Sequence, residues 1–225
     1  MRGKLIVIEG TDCSGKETQT KKLVERLKEN NIQIENYSFP AYDTPTGKIV
    51  GGPYLGKSYI CEGWFPEGAS NVDPKVASLY YAADRKYNIG KINELLEKGI
   101  NVILDRYVYS NMAHQGGKIL DDEKRIEMYN FIETLEFNLL ELPQVDIAIF
   151  LHMPLNCSKI LKQGRVEAAD QHEKDDEHLR QAEKVYLELA DRYNFSTIEC
   201  GNDERIKTID EIHEEVYTII KDKIN

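Results

Sequence analysis

VIEGTDCSGKETQT, residues 7–20, leaves an apolar run through a glycine-rich turn and enters a segment with helical spacing. Gly10, Gly15 and Lys16 fit the phosphate-loop pattern G-x-x-x-x-G-K, with Thr11, Asp12, Cys13 and Ser14 between the glycines. Such a loop wraps successive backbone N–H groups around phosphate oxygens, and its lysine reaches the outer phosphates. The helix that follows, carrying Leu23, Val24 and Leu27, adds the positive end of its dipole. The residue after the lysine is normally a hydroxyl that touches magnesium; here it is Glu17, with Thr18 next. Glu17 either binds Mg²⁺ through water or points away and leaves the ion to Asp12 and Asp105. A carboxylate at this point suits the helix dipole but repels phosphate unless a metal intervenes. The competing reading, a glycine-rich turn with an incidental lysine, does not account for the complete strand–loop–helix context.

Outward from the loop, apolar runs alternate with helical periodicity. Residues 4–9, 31–39, 100–105 and 145–151 read as strands, and 195–200 as a weaker fifth. Val76, Leu79, Tyr80, Ala83 and Tyr87 form one helical stripe, as do Ile126, Tyr129, Ile132, Leu135 and Leu139. Ile209, Ile212, Val216 and Ile219 mark an amphipathic helix near the end. Strands and helices in strict succession predict an α/β fold, a five-stranded parallel sheet with helices on both faces. Ligands of such sheets bind beyond the C-terminal strand edges. Two stretches lack period. Residues 51–74 read best as a surface loop tucked down by Trp64 and Phe65, and otherwise as a cover over a substrate or a subunit contact. Residues 162–178 are charged and almost without apolar residues, as a solvated loop would be, and only their position makes them a candidate lid.

The length of 225 residues suits one domain, 1–225, with a sizeable core. A net charge of −10 argues against nucleic acid or an anionic membrane as partner. Four scattered cysteines without C-x-x-C spacing point to a reduced compartment. No apolar run reaches the ~20 residues that span a bilayer, so a cytoplasmic protein is expected.

Two further groups carry chemistry. Asp105 ends an apolar strand where a second carboxylate can hold magnesium, and Arg106 follows at the same sheet edge. Tyr81 and Arg85 lie one helical turn apart, a spacing at which a ring stacks on a base while a guanidinium bonds its edge. An ion pair for the first group and an exposed cation–π contact for the second are the plain alternatives.

Together EGTDCSGKETQ, SFP, LYYAADR, DRYVYSNMAHQ, ADQHE and YLELA resemble the thymidylate kinases, in order and along nearly the whole chain. The resemblance implies a P-loop nucleoside-monophosphate-kinase fold, a homodimer, and transfer of the ATP γ-phosphoryl to dTMP with Mg²⁺. It implies that Asp12 contacts the sugar hydroxyl or magnesium and that Arg106 clamps the monophosphate. Phe39 and Pro40 end the second strand beside the acceptor, Tyr81 stacks on thymine, and Arg85, Asn111 and Gln115 reach the base. Arg165 becomes the lid arginine on the transferring phosphates, a catalytic group alongside Lys16, Asp12 and Arg106. The chain departs from the family pattern at Ala41 and Tyr42, where an arginine often follows the Phe–Pro step. His114 stands near the deoxyribose where many relatives have tyrosine. Cys13 and Gln171 occupy places where arginines are common. Related monophosphate kinases carry GKGTQ, so GKETQ keeps Thr18 and Gln19 in step with a loop that lacks the hydroxyl. Other readings are a deoxynucleoside kinase, a monophosphate kinase for another base, and a nucleotide-binding switch without phosphoryl transfer.

Overall fold

Every residue of β1 (Leu5–Gly10) is buried, as a strand covered on both faces requires. A computed structural model describes residues 1–162, 172, 175–202 and 204–224. β1 lies at the centre of a five-stranded, all-parallel sheet with β2 (Ile34–Ser38), β3 (Asn101–Asp105), β4 (Ile147–His152) and β5 (Ser196–Glu199). The order is β2-β3-β1-β4-β5. All five expected strands are present; the first and fourth end one residue later than expected, and all start one to three residues later. The second shortens most, because Asn31 takes a left-handed φ of 60° and closes the preceding helix. Ile8 pairs with Asp105 and Gly10 with Leu151, so the phosphate loop leaves the sheet between the ends of β3 and β4.

Alternation along the strands divides the core in two. Leu5, Val7, Val102 and Leu104 face α3 (Pro74–Glu97), α4 (Val108–Gly116), α5 (Asp122–Glu133) and α7 (Asp176–Arg192). Ile6, Ile8, Ile103 and Ile149 face α1 (Lys16–Glu29) and α8 (Ile209–Ile224). Each such side chain contributes roughly 1.5–3 kcal/mol on burial. α2 (Pro45–Ile49) and α6 (Leu155–Lys162) flank this framework.

The stripe expected to bury α3 faces the other way. Val76, Leu79 and Tyr87 are 41%, 52% and 62% exposed, while Ala77, Ala82, Asp84, Arg85, Ile89, Ile92 and Leu96 are buried. Small residues let the helix approach its neighbours, and the buried Asp84 and Arg85 have partners that a search for apolar periodicity passes over. α3 starts where Asp73 accepts hydrogen bonds from the backbone N–H groups of Lys75 and Val76, with Pro74 in the first turn. In the second stripe Tyr129 and Ile132 are buried, but Ile126 and Leu139 point outward. On α8, Ile212, Val216 and Ile220 carry the packing and Ile209 is exposed.

The segment 51–74 is no loosely tucked loop. Tyr54 and Leu55 pack with Val50, Ala69, Val72 and Ala77 into a third small core. Of the two expected anchors, Trp64 is 75% exposed and Phe65 packs edge-on against Tyr54. Of the expected lid, Arg165 and Gln171 lie outside the described residues.

Candidate active site

Beyond the C-terminal ends of β1, β2 and β3 opens a cleft of about 700 Å³. The phosphate loop forms one wall, and Phe39, Pro40, Tyr81, Asp105, Arg106, Asn111 and His114 also border it. Gly10 has no space for a side chain, since a Cβ would fall 2.5 Å from Ser14 Oγ and 2.7 Å from the Leu151 carbonyl oxygen. Gly15, at the start of α1, has a left-handed φ of 79° and open space where a Cβ would project. Thr11 fastens the loop to β4's end: its hydroxyl donates to the Met153 carbonyl (2.7 Å) and accepts from the Met153 N–H (3.0 Å). Cys13 adopts φ 57° within the turn, and Thr18 is exposed on the cleft wall.

Lys16 folds over its own loop, donating to the carbonyls of Gly10 (3.0 Å) and Thr11 (2.9 Å). Burial, and then the positive field of Arg106, bring its pKa down to about 8. A lysine so placed gains strongly from a polyanion in the cleft. Arg106, itself in left-handed backbone at φ 66°, donates to Asp12 Oδ1 at 3.0 Å, Tyr186 Oη at 3.1 Å and Ser110 Oγ at 3.2 Å. Burial opposes ionisation of Asp12, but Arg106 and Lys16 hold its carboxyl far below the usual range. Asp105 is raised instead, because burial outweighs the same two cations.

Beneath this pair lies a carboxylate that motif reading missed. Glu9, fully buried, accepts from the backbone N–H of Tyr107 (2.8 Å) and Ser110 (3.1 Å) and from Ser110 Oγ (2.6 Å). It thereby caps α4 from the neighbouring strand, at the end where the dipole favours an anion. Tyr186 Oη lies 2.7 Å from Ser110 Oγ and donates to Glu9 at 3.2 Å, so one network joins β1, α4 and α7 under Arg106. A single acid inside the apolar run LIVIEG was the available signal for Glu9. Tyr186 opens the YLELA stretch, which carries the family resemblance without giving this residue a role.

On the opposite wall Tyr81 borders the cleft and meets Tyr54 edge-on at 5.7 Å. The sequence reading has Arg85 reaching a base edge; Arg85 borders the cleft, and a buried ion pair holds one edge of it, Nη2 donating to Glu136 Oε1 at 2.6 Å and Nε to Oε2, while Nη1 lies 3.4 Å from the Tyr107 carbonyl oxygen. Asn111 Nδ2 donates to the same carboxylate at 2.9 Å, which leaves Asn111 Oδ1 buried without a partner among the described residues. Gln115 is fully buried and does not border the cleft. Glu17, 77% exposed, pairs with Lys21 at 2.6 Å on the rim of the cleft. Phe39 is buried, the Phe39–Pro40 peptide is cis, and the following Ala41 N–H donates to Asp84 at 2.9 Å. Asp84 thus fixes the turn after β2, where the family's frequent arginine is absent.

The thymidylate kinase family model matches residues 8–215. The chain belongs to the thymidylate kinase family. It therefore has a nucleoside-monophosphate-kinase fold and belongs with the phosphotransferases. A probable thymidylate kinase of Pyrococcus abyssi is 31% identical across 100% of this chain and 98% of its own length. Human thymidylate kinase is 29% identical across 99% of this chain and 92% of its own. A solved structure of thymidylate kinase from Candida albicans, titled for its broad substrate specificity, superposes with a TM-score of 0.73 at 27% identity, covering 98% of this chain and 92% of that one.

Proposed function

We propose that this protein transfers the γ-phosphoryl group of ATP to dTMP, forming dTDP, with Mg²⁺ bound in the cleft. The observation that carries the reading is the pairing of Arg106 and Lys16 about Asp12 on the walls of one cleft. The phosphate loop and Lys16 take the donor phosphates, Lys16 exchanging its carbonyl partners for phosphate oxygens. Arg106 takes the acceptor phosphate, which frees Asp12 for the sugar hydroxyl or the ion. Glu9, Ser110 and Tyr186 are positioning residues that keep the guanidinium aimed. Tyr81 supplies a ring for the base, and Asn111 Oδ1 supplies an acceptor for a base N–H such as that of thymine. Leaving that buried acceptor unmatched costs about 1–3 kcal/mol, which favours a base that donates there. Arg85 acts at one remove, through Glu136, by orienting Asn111.

The donor set suits magnesium: Asp12 and Asp105 offer hard oxygens, and a carboxylate that burial raises, as at Asp105, is relieved by an added cation. Bound there, the ion would neutralise charge on the transferring phosphoryl. Initial rates with ATP–Mg²⁺ test the whole reading on dTMP, dUMP, dCMP, dGMP and thymidine. dTMP should turn over fastest and thymidine slowest; preference for thymidine or a purine monophosphate would overturn it.

The same chain is read as a homodimer. Val76, Leu79 and Tyr87 form an exposed apolar line on α3, and Lys75 over Phe131 places α5 beside it. A second copy covers such a surface by two-fold self-pairing. Leu79→Glu should shift the sedimentation coefficient from dimer to monomer. A reducing cytoplasm is supported by four cysteines outside any disulfide. No helix of the described residues is long and apolar enough to cross a membrane.

A further inference from the structure

Three histidines from separate parts of the chain converge beside the cleft. His114 lies on α4, His172 in the connection between α6 and α7, and His178 in the first turn of α7. Their ring centroids are 5.5 Å (His114–His172), 5.3 Å (His114–His178) and 4.4 Å (His172–His178) apart. His114 Nδ1 and His178 Nε2 are 3.1 Å apart, and each residue offers one ring nitrogen within 4.8 Å of the others. His172 and His178 are buried. We propose that these three imidazoles bind one borderline divalent transition-metal ion of the Zn²⁺ class, which ties the connection between α6 and α7 to α4.

The geometry favours this over inert packing. Zinc–nitrogen bonds of about 2.0–2.1 Å in a tetrahedral site put ligand nitrogens roughly 3.3 Å apart, so one pair already has the spacing and small ring rotations bring in the third. Three histidines with an open fourth position are a recurrent zinc donor set. An apolar stack would be served as well by phenylalanine or leucine, without three ring nitrogens to satisfy. Burial, ahead of all other causes, keeps the imidazoles neutral at ordinary pH: His178 is lowered to about 4, and His114 and His172 fall well below their usual value. Neutral imidazole is the form that ligates. An outer contact is in place too. Tyr54 Oη lies 3.1 Å from His172 Nε2, and Asp175 fixes the start of the helix that carries His178, its Oδ1 accepting from the His178 backbone N–H at 3.0 Å. The positive fields of Lys118, Arg106 and Lys16 act against a cation here, and the negative fields of Asp12 and Asp175 act for it. Magnesium does not compete, because it prefers hard oxygen ligands that this cluster lacks.

The test titrates ZnCl₂ and CoCl₂ into the full chain in excess MgCl₂, by calorimetry and by visible absorption. Wild-type protein, His172→Gln, His178→Gln and a control, His213→Gln on α8, are compared. The expected result is one ion per chain and the intense visible bands of tetrahedral Co²⁺. Affinity should fall in both cluster variants by more than the roughly 10–100-fold that loss of an outer contact produces, and hold in the control. Zn²⁺ should also slow amide exchange across residues 175–178 in the wild type and not in His178→Gln. Far-UV circular dichroism without metal establishes folding; if one cluster variant is unfolded, the other carries the test. Absence of stoichiometric binding, or affinity unchanged in a folded cluster variant, overturns the proposal.

Discussion

Two Asp–Arg dipeptides, Asp84–Arg85 and Asp105–Arg106, bring their arginines to one cleft and come to opposite ends. The Arg85 side chain is 2% exposed and its partner Glu136 not at all, with both carboxylate oxygens taken by the guanidinium. The Arg106 side chain is 21% exposed; it meets one carboxylate, Asp12, and otherwise the neutral oxygens of Ser110, Tyr186 and Gly10. A sealed two-pronged pair takes Nε and Nη2 of Arg85 and leaves Nη1, 3.4 Å from the Tyr107 carbonyl oxygen, as the donor edge nearest to free, and breaking the pair strands a charge in the interior. An arginine held mainly by neutral acceptors can exchange one anion for another. Availability of the guanidinium separates the scaffold from the site, and the dipeptide itself is silent on it.

The contrast breaks hardest at Glu136. Glu136→Gln leaves Arg85 charged and unpaired in the interior, and stability should fall by about 3–5 kcal/mol, read from urea unfolding. A loss below 1 kcal/mol would mean that the pair is not the scaffold described here. Arg106→Lys comes next. One ammonium cannot reproduce a forked contact to phosphate, so kcat/KM for dTMP should drop by about 10–100-fold, or roughly 1.4–2.8 kcal/mol. Its urea midpoint should stay near that of the parent; equal losses in stability and activity would erase the distinction between the two arginines. The smallest effect is expected at Glu17. Its pair with Lys21 is on the surface, where such pairs contribute little. Glu17→Ser should keep kcat within about twofold, with the magnesium dependence of the rate overlaying that of the parent. A displaced magnesium optimum would instead return Glu17 to the ion's donor set.

Much of the site could be read along the chain because it is local. Lys16, Gly10 and Gly15 owe their positions to one turn between one strand and one helix, and Asp105 with Arg106 to the end of the next strand. What stayed hidden depends on residues far apart in sequence. Glu136 lies 51 positions from Arg85, Tyr186 lies 80 from Arg106, and His172 lies 58 from His114. The Tyr81–Arg85 spacing is sound as helix geometry, yet it does not reveal that a carboxylate from the helical segment following α5 already holds Nε and Nη2 of the guanidinium.

By itself the sequence determined the order of strands and helices, the phosphate loop, and the sheet edge where chemistry gathers. Each of these follows from short-range sterics and from the period with which apolar residues recur. Only the tertiary structure decided which face of α3 is buried. Periodicity records that a helix has an apolar stripe, and it names no neighbour for it; here Ala77, Ala82 and the paired Arg85 go inward while Val76, Leu79 and Tyr87 remain outside. The same holds for charge. Whether a carboxylate is a ligand, a cap or a counter-ion is set by the groups that the returning chain packs against it, as Asp12, Glu9 and Glu136 show within one cleft and its walls.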